Sequence, residues 1–337
     1  MACGLSHLLD THFTCGGMML TKDDKRSRIG KIGSSDVATI LGLNEYETFY
    51  QWMNYYLGLI EPKKETPPLL AGNLFESSIA GFYMAISGNI ITPASGKTYV
   101  HPDYDWKISH PDYLDKYGNP VEIKNVGQYS EWKWGPDGST EVPIGPYVQV
   151  VDQCIHLGRN TATIVAYFGG ADIRSYKLEI PPERKDKLMK QVIEVYQSYI
   201  EPGILPEPGG RDLSVLNTRF EGAQESQVVA NEEVMRAVTS MKYNKKQLDQ
   251  IQVEIDESQA MIKNFMGENT VLVDEDGDRV ATWKRNKDGE KVDYKALVKD
   301  LDVDRTTLSK FTEIRKGARP LKTYNPKKLK EEKDGTK

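Results

Sequence analysis

From Ser34 to Ser87 apolar residues recur at helical spacing. Ser34, Ser35 and Asp36 offer oxygens for an N-cap and first turn ahead of VATILGL, and FYQWMNYYL forms the body of a second helix between Thr48 and Leu57. After the Pro67-Pro68 break, residues 69–87 predict a longer helix. There Leu70, Leu74, Ile79, Phe82 and Ala85 fall on one broad face, and Gly88 is the natural stop. Beyond it the period shortens to two. Segments near 90–100, 106–114 and 120–126 predict strands, the last two joined through Asp115, Lys116, Tyr117, Gly118 and Asn119, which is hairpin chemistry.

A Gly- and Trp-containing loop (127–144) leads to a helix over 146–157, strands near 161–168 and 172–180, and a helix opened by Pro181-Pro182 that runs to about Ile200. Strands grouped centrally among helices imply an α/β fold, a mixed central sheet flanked by helices. The stretch EPGILPEPGGRD (201–212) reads as a linker. Past it, Val234, Met241, Leu248, Ile255 and Ile262 recur every seven residues, with Ile251 and Phe265 on the same seam, so a long helix with coiled-coil character follows. Asn244 and Ser258 interrupt that seam, and packing of the helix on its own domain is the simpler expectation. Residues 270–285 predict a hairpin turning through Asp276-Gly277, with a short helix near 293–300 and a basic tail behind it. The expected organisation is a disordered extension over 1–21, a main domain over 22–200, a linker over 201–224, and a C-terminal helical and hairpin extension over 225–337.

Composition narrows the class. Of 337 residues, 39% are hydrophobic and 9% aromatic, which excludes a wholly disordered chain. No stretch appears as an uninterrupted run of about 18 apolar residues, so no membrane association is expected. The first residues lack a basic start followed by a long apolar run, so the chain is expected in the cytoplasm. Three cysteines, Cys3, Cys15 and Cys154, are too scattered for a four-cysteine metal or cluster site, so any metal would be held by oxygen. A net charge of −5 argues against a surface coated in basic charge but leaves a local basic groove open.

The chemistry concentrates in SHPDYLDKYGNPVEIK (109–124). If the hairpin closes around Tyr117-Gly118, Asp112 lies opposite residue 122 or 123, and Glu122 and Lys124 share one face because strands have a two-residue side-chain period. Two carboxylates brought together repel unless a cation separates them, and a hard divalent ion such as Mg²⁺ is the usual solution. Such an ion lowers the pKa of a bound water and polarises a phosphoryl oxygen, while Lys124 would orient that water and offset developing charge. An acidic residue two before a lysine also occurs at Asp23, Glu61, Asp105, Glu131, Glu183, Asp293 and Glu331, so context decides. Only Glu122 sits in an apolar strand with a Pro-Asp pair one hairpin upstream. The rival set, Pro102-Asp103 with Asp105 and Lys107, supplies no second strand.

In RIGKIGSSDVATILGL (28–43), LAGNLFESSIAGFY (70–83), SHPDYLDKYGNPVEIK (109–124) and PYVQVVDQCIHLG (146–158), the chain resembles the YqaJ-type viral recombinase family, relatives of lambda exonuclease within the PD-(D/E)xK nuclease superfamily. The likeness covers roughly residues 26–200. It implies a restriction-endonuclease-like core in which Asp112, Glu122, the Ile123 carbonyl and Glu76 bind the metal, Mg²⁺ or Mn²⁺ in its place. By the same resemblance Lys124 is the catalytic lysine, Gln149 supports the site, and Arg28 with Ser35 binds a 5′-terminal phosphate. Tyr113 stands where the family commonly has Gly, His110 where a small residue is frequent, and Asn73 where some relatives carry a basic residue.

The resemblance further implies a 5′-to-3′ exonuclease on double-stranded DNA ends, encoded by a phage or prophage and active in the cytoplasm of a bacterial host during homologous recombination. It also implies a homo-oligomer and cooperation with a single-strand annealing protein. The loop GQYSEWKWGPDGS adds Tyr129, Trp132, Lys133 and Trp134 as candidate DNA contacts, against the alternative that these aromatics fold back on the core. The tail 315–337, with nine Lys/Arg against three Asp/Glu, is a candidate electrostatic contact. An endonuclease on the same core and a non-catalytic DNA-binding scaffold remain the competing readings.

Overall fold

Asp115 organises the hairpin at the centre of the sheet. Its carboxylate accepts the backbone N–H of Tyr117 at 2.9 Å and of Asn119 at 2.8 Å, and Gly118 supplies the φ of +79° that closes the turn. The computed structural model describes residues 30–61, 66–94, 97–222, 226–289, 291–313 and 321–322. It divides into two units, parting after Glu221.

The first unit contains strands Ile91–Pro93 (β1), Tyr99–Val100 (β2), Ile108–Ser109 (β3), Tyr113–Asp115 (β4), Pro120–Asn125 (β5), Thr161–Tyr167 (β6) and Ile173–Glu179 (β7). Its helices are Val37–Ile40 (α1), Phe49–Tyr56 (α2), Pro67–Ser87 (α3), Ile144–Leu157 (α4), Pro182–Val195 (α5) and Leu213–Arg219 (α6). Five strands form one sheet in the order β1-β4-β5-β6-β7. All neighbours are antiparallel except β5 and β6, which run parallel with α4 as their crossover. This is the mixed sheet flanked by helices that the alternation of periods implies.

Each face of the sheet has its own core. On one face Ile79, Ala80 and Tyr83 of α3 pack on Ile91, Tyr113, Val121, Ile123 and Val165. On the other, Val148, Val150, Val151 and Cys154 of α4 pack with Ile164, Ala166, Tyr176, Leu178 and the helices α1, α2 and α5. Burying each large side chain contributes about 1.5–3 kcal/mol, so the alternation along β5 ties Val121 and Ile123 to α3 and turns Glu122 and Lys124 to the opposite face.

Three expectations are corrected. The buried stripe of α3 is Ile79, Ala80 and Tyr83, while Leu70, Leu74 and Ala85 are exposed, because this helix is apolar on most sides and periodicity does not single out a face. The same apolarity makes Pro67–Ser87 the one helix among the described residues long and apolar enough to cross a membrane, where none was expected; its prolines open the helix rather than break it. The stretch read as a linker is folded: Asp212 is buried and accepts from the Thr48 hydroxyl, Gln51 Nε2 donates to the Arg211 carbonyl at 2.8 Å, and Val215 of α6 is buried. Gly and Pro there shape turns that the capping Asp212 ties to α2.

Beneath α4 lies a buried polar cluster. Lys107 and Asp152 are both fully buried and meet at 2.6 Å. His156 Nδ1 lies 2.8 Å from the Asp152 carbonyl, and its ring meets that of His101 edge-on at 5.7 Å. Burial holds both histidine pKa values down; for His101 the carboxylates of Asp103 and Asp152 only partly oppose this and Lys107 adds to it, and for His156 Asp152 opposes while Lys107 and His101 add. The unfolded chain therefore binds protons near the ordinary histidine pKa of about 6.5 that the folded chain refuses. Their contribution to stability is complete above that pH and is lost as pH falls toward the depressed folded values. Urea denaturation between about pH 7.5 and about pH 5.5 is expected to show a larger loss of stability on acidification in the native chain than in the His101→Asn/His156→Gln variant.

In the C-terminal unit, Glu232–Met266 (α7) begins at Asn231, whose side chain accepts the Val234 N–H at 2.9 Å. Val271–Val273 (β8) and Arg279–Thr282 (β9) pair through a turn in which Gly277 has φ +87°, and Tyr294–Asp300 (α8) follows. A further short helix, Arg305–Ser309 (α9), is capped by Asp304 and was not expected. The proposed extension over 1–21 and almost all of the basic tail lie outside the described residues.

Candidate active site

The register of β4 on β5 pairs Tyr113 with Val121 and Leu114 with Pro120, so one step further Asp112 faces Glu122. Opposed residues of an antiparallel pair share a face, and the sequence-based alternative of residue 123 is excluded. Asp112 Oδ2 instead accepts the Ile123 N–H at 2.8 Å, which fixes the carboxylate at the strand edge.

Glu122 is the buried centre. Its Oε1 accepts from Lys124 Nζ at 2.5 Å and from Gln149 Nε2 at 2.6 Å, and its Oε2 accepts from Gln153 Nε2 at 2.7 Å. Lys124 Nζ also donates to Gln149 Oε1 at 3.0 Å. Gln149 and Gln153 lie one turn apart on α4 and present two amides to a single carboxylate. Glu76 approaches from α3 on the other layer.

The charges of Asp112, Glu122, Glu76 and Lys124 act on one another. Burial pushes the Asp112 carboxyl well up, and the charges of Glu122 and Glu76 push it further. Glu76 is raised in the same way, by burial and then by Glu122. For Lys124 burial works against the charge, but Glu122 and Asp112 outweigh it and the ammonium pKa stays raised. Among the described residues no three His, Cys, Asp or Glu side chains converge as a closed metal cage. The geometry explains this: Glu122 is turned to Lys124 and the glutamines, and Asp112 to a backbone N–H. The donor set nevertheless fits a hard divalent cation, being all carboxylate oxygen with repulsion that such a cation would relieve.

The other expected residues separate. Ser35 is exposed at the first turn beside Ser34, which is buried and donates to Ser109 Oγ at 2.8 Å; Arg28 lies outside the described residues. Tyr129 and Trp132 are 95% and 80% exposed on the 3-10 turn after β5. Trp134 is not available in that way, since it packs edge-on against Phe168 and tilted against Tyr176 as part of the core. Lys133 is engaged by Glu45. The rival Asp105-x-Lys107 set is split, with Lys107 turned inward to Asp152 and Asp105 exposed near Lys31. Tyr113, where the family commonly has Gly, fills the core under α3.

Gln153 was missed by sequence reasoning. Its spacing of four from Gln149 was visible, but two amides on one helix face are common and nothing marked their target. Gln153→Leu removes the buried donor to Glu122 Oε2, and outer hydrogen-bond partners of metal-binding carboxylates are worth about 10–100-fold in metal affinity or activity. Calorimetric Mg²⁺ titration of this variant is expected to show weakening of that size, beside a loss of folding stability of about 1–3 kcal/mol from the buried carboxylate oxygen left without its donor.

A carboxylate pair on a hairpin, a strand lysine bonded to one of the two and glutamines from the crossover helix define the type of site. Residues 25–159 match the family model of the YqaJ-like viral recombinase domain. Among solved structures the chain is similar to an alkaline exonuclease from Laribacter hongkongensis, at 18% identity and TM-score 0.45, over 54% of this chain and 94% of that one. It is also similar to a phage-related exonuclease from Haemophilus somnus, at 11% identity and TM-score 0.36, over 51% of this chain and 96% of that one. No curated protein matches the sequence.

Proposed function

We propose that the chain is a divalent-metal-dependent deoxyribonuclease that digests double-stranded DNA from its ends, 5′ to 3′, in phage-type recombination in a bacterial cytoplasm. The observation that carries this reading is that Asp112 stands opposite Glu122 on the β4–β5 hairpin with Lys124 bonded to Glu122 at 2.5 Å, inside the stretch that matches the YqaJ-like model. Asp112, Glu122, Glu76 and the Ile123 carbonyl would hold Mg²⁺, or Mn²⁺ in its place. When bound, the ion supplies an activated water and Lewis-acid polarisation of the scissile phosphate. Lys124, kept protonated by its neighbours, orients the attacking water and offsets the negative charge that grows on the phosphoryl oxygens. Gln149 and Gln153 hold the Glu122 carboxylate in place for that work.

On the substrate side, Arg28 and Ser35 anchor the terminal 5′ phosphate, and the exposed Trp132 and Tyr129 offer aromatic faces to unstacked bases. Lys133 contributes only by leaving Glu45, and Trp134 supports the loop from within the core. A homo-oligomer around DNA and a single-strand annealing protein as partner belong to the same reading.

Linear duplexes labelled at the 5′ or the 3′ end, and a covalently closed circle, incubated with and without Mg²⁺, test it. The expected result is release of nucleotides from the 5′-labelled ends, no cutting of the circle, and no reaction in EDTA. Linearisation of the circle would make the chain an endonuclease, and tight DNA binding without hydrolysis would make it a scaffold.

A further inference from the structure

The seven-residue seam of α7 is open to solvent. Val234 is 50% exposed, Leu248 64%, Ile251 51%, Ile255 44%, Ile262 41% and Phe265 79%. A 35-residue helix spans about 52 Å, and along that length a strip of apolar side chains is left uncovered by the described residues of its own unit. The residues that interrupt the seam say what the partner is. Ala237, Asn244 and Ser258 are small or polar, and the seam position that mirrors each of them across the middle of the helix carries a large residue.

In a parallel in-register pair each position meets its own copy, so Ala237 faces Ala237, Asn244 faces Asn244 and Ser258 faces Ser258. Three of the layers are then underfilled or polar. In an antiparallel pair with its two-fold axis between Asp249 and Gln250, every one of these residues meets a large one. Val234 faces Phe265 of the second copy, Ala237 faces Ile262, Met241 faces Ser258, Asn244 faces Ile255 and Leu248 faces Ile251. The flanking positions also agree, since Gln247 lies beside Glu254 of the second copy and Lys245 beside Gln252, with no like charges opposed. A strip about 45 Å long and about 10 Å wide on each helix buries on the order of 1,000 Å² in total, the size a specific interface needs.

We propose that α7 pairs antiparallel with α7 of a second copy of this chain, about a two-fold axis between Asp249 and Gln250. The pairing is isologous, so it closes on itself and joins two chains whatever the N-terminal unit does with DNA.

Disulfide trapping in the full chain tests the orientation. Cys3 and Cys15 are replaced by serine; Cys154 is kept, because it is buried and its thiol is pushed up to about 12. Chains carrying Val234→Cys and chains carrying Phe265→Cys are co-expressed, purified together and oxidised. A mixed disulfide dimer is expected, and Val234→Cys alone is expected to give none, because its two copies would sit about 45 Å apart at 1.5 Å per residue. A disulfide dimer from Val234→Cys alone, or none in the mixture, overturns the proposal. Independently, Leu248→Glu/Ile251→Glu puts four carboxylates at the axis and, added to both cysteine chains, is expected to abolish the mixed Val234→Cys/Phe265→Cys disulfide with helical content kept; an undiminished yield of that disulfide also overturns the proposal.

Discussion

Replacing Lys124 by alanine is expected to slow hydrolysis of duplex DNA about 10³-fold, with DNA affinity changed by no more than about threefold; a positioned proton-handling group is worth about 10²–10⁴ and a preorganised charge at the transition state about 10²–10³. The ammonium is the only cation bonded to Glu122, at 2.5 Å, among that residue's hydrogen-bond partners, and it is held on its other side by Gln149 at 3.0 Å. Its loss therefore removes both the group that orients the water and the charge that offsets the phosphoryl oxygens. Lys124→Arg is expected to recover little, because a planar fork does not occupy the place of a compact ammonium between a carboxylate and an amide. Single-turnover rates at saturating Mg²⁺ separate this from an effect on binding. A rate within tenfold of the native chain would remove Lys124 from the chemistry.

The second large effect is on stability. Lys107→Met leaves Asp152 fully buried without the ammonium that lies 2.6 Å from it, and breaking a buried ion pair from one side costs about 3–5 kcal/mol. Lys107 also offsets Asp36, whose carboxyl is pushed up by burial despite N–H donation from Gly33 and Trp52, so the cost reaches the turn before α1 as well. The double variant Lys107→Met/Asp152→Leu is expected to recover most of the loss, since two well-packed apolar residues often replace a buried pair at no cost. Chemical denaturation of the two variants checks this. Asp152 sits beside Gln153 on α4, so the ion pair also sets the rotation of the helix that aims both glutamines at Glu122.

How far the sequence could be read follows from which signals are local. The hairpin over 113–125 was legible because turn residues and alternation are properties of adjacent positions, but its register was legible only to within one residue, 122 or 123 opposite Asp112, and the strand pairing chose Glu122. The pairing of β5 with β6 and the arrival of Glu76 from α3 depend on packing between distant segments, and only the family resemblance pointed to Glu76. Lys107 looked like Lys124 as a tripeptide; burial against Asp152 tells them apart, and burial is not written in three residues. Residues 201–212 look like a linker by their Gly and Pro content, while the contacts of Asp212 and Arg211 with Thr48 and Gln51 come from a segment about 160 positions away. The aromatic loop divided where pattern alone could not divide it, with Trp134 inward and Trp132 outward.

The claim on which the rest depends is that the carboxylates around Lys124 form a divalent-cation site. Crystals of the full chain soaked in Mn²⁺ and measured at the manganese absorption edge test it most directly. The account requires an anomalous peak bonded to the carboxylates of Asp112 and Glu122 and its disappearance in Asp112→Asn. Crystals that stay well ordered at this site yet show no such peak, or a peak only elsewhere on the molecule, would contradict it.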